Sequence, residues 1–451
     1  MMKRKKIVSI LLIIITLFAY IPMVSYADET DWPQPPEIVA ESAILVDADT
    51  GAVLYEKDAD SKRYPASITK IVTAILAIEN SELTDTVTFS KTAVNSLPYY
   101  AAKLGMNPGE ESSLQDCLYA LMLYSANEVA NALGEHVAGT MEEFADMMTE
   151  YAHSVGAVNT KFVNPNGLHD DEHYTTARDY AKITMEVLKN DVFCKVWGTS
   201  RYTMAATNKH DSRTFTHRHS MLVSSRADYY SKALGGKTGT TDEAGKTLVT
   251  YAKDGDLSLI CVVLKSDNDN VYSDSKKILE YGFTNFEKRT VTDLSSELGT
   301  DVVSFFTKYD SMFNEKNKII DYEKTSILVP KGMEIADLDK IVSYPESTGT
   351  EDIIADIEFY HDELYLGKTT VYMAGEAETE AVGPSVNDET TVSEEENNTT
   401  IIDVKYILYV LAAIGIIIVI LIILRLTKRR RMLRRSWRRR QKESRRRRRR
   451  F

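Results

Sequence analysis

The sequence predicts an α+β fold: an antiparallel sheet packed with helices, followed by a small β-rich domain and a C-terminal transmembrane helix. Three observations carry this. Hairpin patterns stand at both ends of a long helical block, the texture changes to short β-rich segments near Lys288, and an uncharged apolar run lies close to the C-terminus.

The elements follow in chain order. Residues 1–27 open with MMKRKK, continue as the apolar run IVSILLIIITLFAYI and reach small residues at Ser25 and Ala27. That is the pattern of an export signal, with cleavage expected after Ala27 and an uncleaved anchor as the alternative. After a Pro-rich lead (WPQPPE), SAILVDADTGAVLYEKD reads as two strands joined by a D-A-D-T-G turn. Helical periodicity runs from Ser67 to about Lys189, including Leu114–Leu133 and Met141–Val155. TLVTYAKDGDLSLICVVLKS then reads as a second hairpin turning at D-G, and Ser273–Phe286 as a closing helix. Strands at both ends of a helical block predict one sheet assembled from distant parts of the chain, here residues 37–285.

From about Lys288, TSILVPKG, IVSYP and DIIADIEFYHDELYLGKTTVYMA are short β-rich pieces broken by Pro, Gly and charge, so residues 288–375 are expected to form a small β-domain. Residues 376–405 are acidic, small and poor in aromatics, the composition of a disordered stalk. Tyr406–Leu424 holds no charge and would extend about 28 Å as a helix at ~1.5 Å per residue, close to the thickness of a bilayer core. A surface helix would need a polar face, which this run lacks. The tail 425–451 carries 17 Lys/Arg and one Glu. The positive-inside rule places it in the cytoplasm and everything before the span outside, as a single-pass protein of the cell membrane. Such a tail also suits anionic lipid; Arg runs bind phosphates as well, yet nothing aromatic or folded accompanies this one.

The formal charge of −12 conceals a split. Without the tail and the four N-terminal cations, residues 7–424 hold 33 Lys+Arg against 65 Asp+Glu, a balance near −32. So acidic a surface argues against a nucleic-acid partner for the exported part. Cys117, Cys194 and Cys261 are few, odd in number and far apart, which excludes a disulfide framework and a zinc knuckle and leaves one bridge or three free thiols.

Chemistry enters through three short motifs. Ser67-x-x-Lys70 opens the first long helix, Ser125-x-Asn127 sits between helical stretches, and Lys237-Thr238-Gly239 directly precedes a hairpin strand. Ser-x-x-Lys alone is weak, expected about twice by composition in a chain this long. It recurs at Ser273–Lys276, and Ser-x-Asn recurs at Ser266–Asn268 and Ser385–Asn387. Lys-Thr-Gly is expected only about 0.1 times and occurs once. Order selects the first set, because none of the decoys would converge with an upstream Ser-x-x-Lys. A serine hydroxyl needs a base, and residues i and i+3 share a helix face, so Lys70 can reach Ser67. Lys is a base only when neutral, which burial and a second cation, here Lys237, promote.

This ordered triple in an exported, anchored chain resembles the serine penicillin-binding proteins, and most closely the low-molecular-mass D-alanyl-D-alanine carboxypeptidases. SAILVDADTGAVLYEKDADSKRYPASITKIVTA, YSANEVAN, NPNGLHDDEHYTTARDYAKI and GGKTGTT carry the resemblance over residues 37–285. It implies a β-lactamase-like transpeptidase domain, with a β-sandwich matched to 288–375 by position and texture. It further implies removal of the terminal D-alanine from peptidoglycan stem peptides ending in D-Ala-D-Ala, covalent capture of β-lactams, and no cofactor. Ser67 would form the acyl-enzyme, Lys70 would be its base, and Ser125 would relay a proton to the leaving D-alanine. Asn127 would hold the substrate amide and Lys70. Lys237, Thr238, Gly239 and Thr240 would line the docking strand, with the backbone N–H groups of Ser67 and Thr240 as the oxyanion hole. NPNGL would be a turn bordering the site, and His173–Thr176 a helix cap, with Asp179 three residues after Thr176. His169 and His173 have no third ligand nearby, so no metal is expected.

Two rivals differ in chemistry. A class A-like β-lactamase shares two motifs but usually carries Ser-Asp-Asn, where this chain has Ser-Ala-Asn. A catalytically silent cell-wall scaffold would not need the triad.

Overall fold

The computed structural model describes residues 32–291, 319–343 and 353–374. The expected signal segment, stalk, span and tail lie outside the described residues. Among the described residues, no helix is long and apolar enough to cross a membrane.

Five strands form one antiparallel sheet: β1 (Ser42–Asp47), β2 (Val53–Lys57), β3 (Ala233–Thr241), β4 (Gly245–Asp254) and β5 (Leu257–Ser266), in the order β2-β1-β5-β4-β3. The first hairpin therefore lies beside the last strand of the block, with Leu45 opposite Cys261. Period-2 alternation divides the sheet between two cores. Ile44, Val46, Ile260 and Val262 face one layer of helices, while Ala43, Leu45, Leu259 and Cys261 face the other.

The first layer is built on α1 (Lys70–Glu79), α2 (Asn127–Ala138), α3 (Met141–Ser154) and α4 (Ala177–Val187). In α1 every residue from Lys70 to Ala77 is buried, which makes it the central helix. Burying Ile71, Val72, Ile75 and Leu76 contributes roughly 1.5–3 kcal/mol per side chain. α4 starts at a Thr176 cap whose hydroxyl accepts from the Asp179 N–H at 3.0 Å. The opposite face is covered by α5 (Val271–Asn285), two residues longer at its start than the sequence suggested. Leu114–Leu133 is not one helix. Leu114–Tyr119 passes into a π-helical turn over Ala120–Tyr124, Ser125 turns left-handed (φ 66°), and α2 begins afresh at Asn127.

Beyond α5, β6 (Phe286–Thr290) pairs antiparallel with β8 (Ser326–Pro330). β7 (Ile319–Tyr322), β9 (Asp339–Ser343), β10 (Ile353–His361) and β11 (Leu364–Ala374) form a second sheet, ordered β7-β11-β10-β9. These strands enclose their own core of Ile327, Val329, Ile357, Phe359, Leu366 and Val371. Leu328, facing the other way, packs with the α5 core, and Lys288 forms an ion pair with buried Asp47 at 3.2 Å. The three thiols are free, Cys117 and Cys261 buried and Cys194 half-buried.

Candidate active site

Ser67 lies in a one-turn 3-10 segment, Ala66–Thr69, immediately before α1. The turn is entered through Ala66 at φ 50°, a strained backbone for a residue with a Cβ. Ser67 is half-buried while its neighbours Ala66, Ile68, Thr69 and Lys70 are buried, so this hydroxyl alone is presented. No side-chain cap closes the turn; the Ser67 hydroxyl instead meets Lys70 Nζ at 2.9 Å, one turn on.

Lys70 is fully buried. Its amine reaches Asn127 Oδ1 at 2.6 Å and donates to the Asn166 carbonyl. Those two acceptors use two hydrogens, so the remaining position on the nitrogen points to Ser67. Burial first, then Lys237 and Arg218, push Lys70 well below the ordinary amine range, with Glu128 opposing. Once deprotonated, Lys70 holds both hydrogens on these oxygens and turns its lone pair toward the serine hydroxyl.

The second motif arrives through the break in the helix. Left-handed Ser125 carries its hydroxyl to Lys237 Nζ at 2.9 Å, and Asn127 carries its amide to Lys70. π-helical turns are frequent at functional sites for this reason: they redirect a side chain that a regular helix would bury elsewhere. Lys237 also donates to the Thr238 carbonyl at 2.7 Å. Burial first, then Arg218, lower it to about 7.

The third motif sits on β3, which runs alongside the Ser67 turn. A Cβ built on Gly239 would stand 2.8 Å from the Ser67 nitrogen, 3.0 Å from the Pro65 carbonyl oxygen and closer still to Thr247 Oγ1. Thr247 donates to that same Pro65 carbonyl at 2.8 Å, tying β4 to the chain before the serine. Thr240 accepts from Lys246 Nζ at 2.9 Å. Ser67, Ser125, Asn127, Thr238, Gly239 and Thr240 line a cleft of about 780 Å³, with Lys70 and Lys237 buried beneath it.

The seven residues of the three motifs and Thr240 therefore meet at one cleft. Two contributors escape sequence reading. Asn166 of NPNGL touches Lys70 directly through its backbone carbonyl, and no side-chain pattern announces a carbonyl. The turn itself was legible: Asn164 Oδ1 accepts from the Gly167 N–H at 2.7 Å. Gly167, at φ 80°, has no room for a Cβ against the Ala66 carbonyl. Arg218 lines the cleft with its guanidinium 4.2 Å from the Tyr124 ring centroid, and it is the fixed cation behind the depressed lysines. Its only signal was its place in H-R-H, outside any periodic segment.

The other polar residues sort themselves. His173 accepts from the Val163 N–H through Nδ1 and meets Thr69 Oγ1 at 2.8 Å through Nε2; burial holds it at about 3, neutral. Decoy Ser273 donates to the Asn270 carbonyl on α5. Asn268, from a discarded Ser-x-Asn, does reach the cleft rim.

Comparison with known proteins gives the family and the fold. The family model described as D-alanyl-D-alanine carboxypeptidase, peptidase S11, matches residues 29–268. The D-alanyl-D-alanine carboxypeptidase DacF of Bacillus subtilis is 30% identical over 364 residues, covering 74% of this chain and 90% of its own. A mutant Streptomyces K15 DD-transpeptidase structure is 32% identical, with TM-score 0.52, over 55% of this chain and 99% of that one. Penicillin binding protein 5 from Haemophilus influenzae, 23% identical, shares the fold over 76% of this chain and 98% of its own with TM-score 0.59. The chain belongs to the D-alanyl-D-alanine carboxypeptidase family of serine peptidases, on the α+β fold shared by penicillin-binding proteins and β-lactamases.

Proposed function

We propose that Ser67 is the nucleophile through which this carboxypeptidase removes the terminal D-alanine of peptidoglycan stem peptides. Neutral Lys70 takes the Ser67 proton as the oxygen attacks the carbonyl carbon of the penultimate D-alanine. The charge that develops on the carbonyl oxygen falls to the Ser67 and Thr240 backbone N–H groups. The C–N bond then breaks as Ser125 relays to the departing amine the proton that Lys70 took from Ser67, leaving Lys70 neutral for the water step. Water cleaves the ester, releasing the shortened peptide and restoring Ser67. Asn127 holds the substrate amide and Lys70, and Gly239 lets the peptide backbone approach β3.

Lys237, Thr238, Thr240 and Arg218 receive the terminal carboxylate. With Lys237 lowered to about 7, Arg218 supplies the permanent charge, and a bound carboxylate draws Lys237 back to its cationic form. One observation carries the assignment: a fully buried Lys70 bonded to two carbonyl oxygens and to the Ser67 hydroxyl. β-Lactams, as D-Ala-D-Ala mimics, acylate Ser67 and leave slowly.

The test is mass spectrometry of a D-Ala-D-Ala peptide incubated with the enzyme. Wild type releases one alanine and Ser67→Ala releases none. Fast turnover of penicillin would favour the β-lactamase reading, and unchanged release by Ser67→Ala would remove Ser67 from the chemistry.

The remaining assignments rest on sequence pattern. Residues 1–27 direct export, 37–285 form the catalytic domain, and 288–375 with stalk 376–405 space it from the membrane. The span 406–424 anchors it and the tail 425–451 stays in the cytoplasm. Alkaline extraction and protease protection of intact cells test this; release of the full-length chain by carbonate would overturn the anchor.

A further inference from the structure

Large apolar side chains are rarely left exposed in pairs at the mouth of a site, and here two tyrosines are. Tyr99 is 92% exposed and Tyr100 73% exposed, and Tyr100 lines the cleft that holds Ser67. Their rings meet edge to face, 5.6 Å between centroids at 82°.

The pair is held out deliberately by its flanks. Leu97 is buried on one side, and the Ala101 N–H donates to the Pro98 carbonyl at 3.1 Å, closing a turn with the tyrosines at its corner. Beyond it the Ala102 carbonyl accepts the Asn127 N–H at 2.9 Å. The buried carboxylate of Glu128 takes the N–H groups of Gly105 at 2.7 Å and Met106 at 3.3 Å. The corner is therefore referenced to the same residue, Asn127, that holds Lys70.

Resting on the carboxypeptidase reading above, we propose that Tyr99 and Tyr100 form an aromatic lip that binds the acyl arm of the substrate, the stem-peptide residues preceding D-Ala-D-Ala. The leaving group is a single D-alanine whose carboxylate goes to the Lys237–Arg218 end, so it is too short to reach a rim. Only the acyl arm extends out of the cleft. At ~3.4 Å per extended residue, the 5.6 Å step from ring to ring matches one to two residues of that arm. The flat faces suit its aliphatic portions, and the phenol oxygens remain wet.

The test compares D-alanine release from a five-residue stem peptide and from an N-acetyl-D-Ala-D-Ala dipeptide lacking the arm. The doubly substituted Tyr99→Ala, Tyr100→Ala enzyme should lose about 5- to 10-fold in kcat/KM on the long peptide and less than about 2-fold on the short one, as expected for one or two lost ring contacts. Tyr99→Phe with Tyr100→Phe should restore the long-peptide rate, since the ring faces remain. Equal losses on both peptides, or none on either, would overturn the lip while leaving Ser67 in place. Absence of any Ser67-dependent release in wild type would instead overturn the carboxypeptidase assignment, and the lip with it.

Discussion

Replacing Gly239 with alanine tests the docking of β3 against the nucleophile. The added methyl carbon would lie 2.8 Å from the Ser67 nitrogen and 3.0 Å from the Pro65 oxygen, with Thr247 Oγ1 nearer than either. Ordinary contact needs about 3.5 Å, so the strand and the turn must separate by roughly 0.5–1 Å. Two backbones and a hydrogen-bonded hydroxyl surround the spot, so no flexible side-chain end can give way. A misplacement of about 1 Å costs on the order of 10²-fold in rate, and obstructing one oxyanion donor about 10²–10³-fold. Gly239→Ala should therefore acylate with a fluorescent penicillin some 10²–10³-fold more slowly than wild type. Adding Thr247→Ala removes the nearest clash but also the hydrogen bond to the Pro65 carbonyl, and it leaves the contacts at the Ser67 nitrogen and the Pro65 oxygen, so it should not recover acylation. Acylation within about 3-fold of wild type in a folded Gly239→Ala protein would refute the proposed oxyanion site.

Three further outcomes are expected. The kcat/KM profile should be bell-shaped: it rises as Lys70 loses its proton and falls as Lys237, lowered to about 7, loses its own. Lys237→Arg, charged throughout, should abolish the alkaline limb, and a limb that persisted would assign it elsewhere. Both lysines have folded values below their unfolded ones, so the unfolded chain binds more protons between pH 7 and 8.5 and stability should rise with pH there. The slope is at most about 1.4 kcal/mol per pH unit per lysine; a melting temperature flat over this window in wild type would contradict the depressed lysines. Thr176→Ala should lower stability by about 1 kcal/mol, or about 2–4 °C in Tm, through loss of the α4 cap, with acylation by penicillin retained.

The sheet was legible because its edges carry turn chemistry and its strands are apolar on both faces. SAILVD and LSLICVVLKS could be matched to hairpins without knowing that they pair with each other, and the long-range pairing then followed from economy of topology. The break at Ser125 was less legible. LYALMLY continues a helical pattern up to that residue, and apolar periodicity does not distinguish a π-helical turn from an α-helical one. What gives it away is function: a regular helix would not carry Ser125 to Lys237 and Asn127 to Lys70 together.

The site itself shows where residue patterns stop. Its side chains were found by motif order, but the state of Lys70, set first by burial and then by Lys237, is also tuned by groups that carry no pattern. Lowering an amine far enough to act as a base requires both exclusion of water and neighbouring positive charge. The motifs supply Lys237, yet Lys237 is itself lowered to about 7 and carries only part of a charge at neutral pH. The constant cation is Arg218, which lines the cleft and acts on both lysines. Likewise the second acceptor that occupies a Lys70 hydrogen is the Asn166 carbonyl, placed by an Asn-Pro-Asn-Gly turn that Gly167 alone allows to close against Ala66. Arg218→Gln should consequently move the Lys70 limb of the pH profile toward higher pH, since removing a nearby positive charge makes protonated Lys70 easier to form. It should also weaken binding of the substrate carboxylate. A profile that stays in place while KM rises would confine Arg218 to carboxylate binding and leave burial and Lys237 as the whole origin of the neutral lysine.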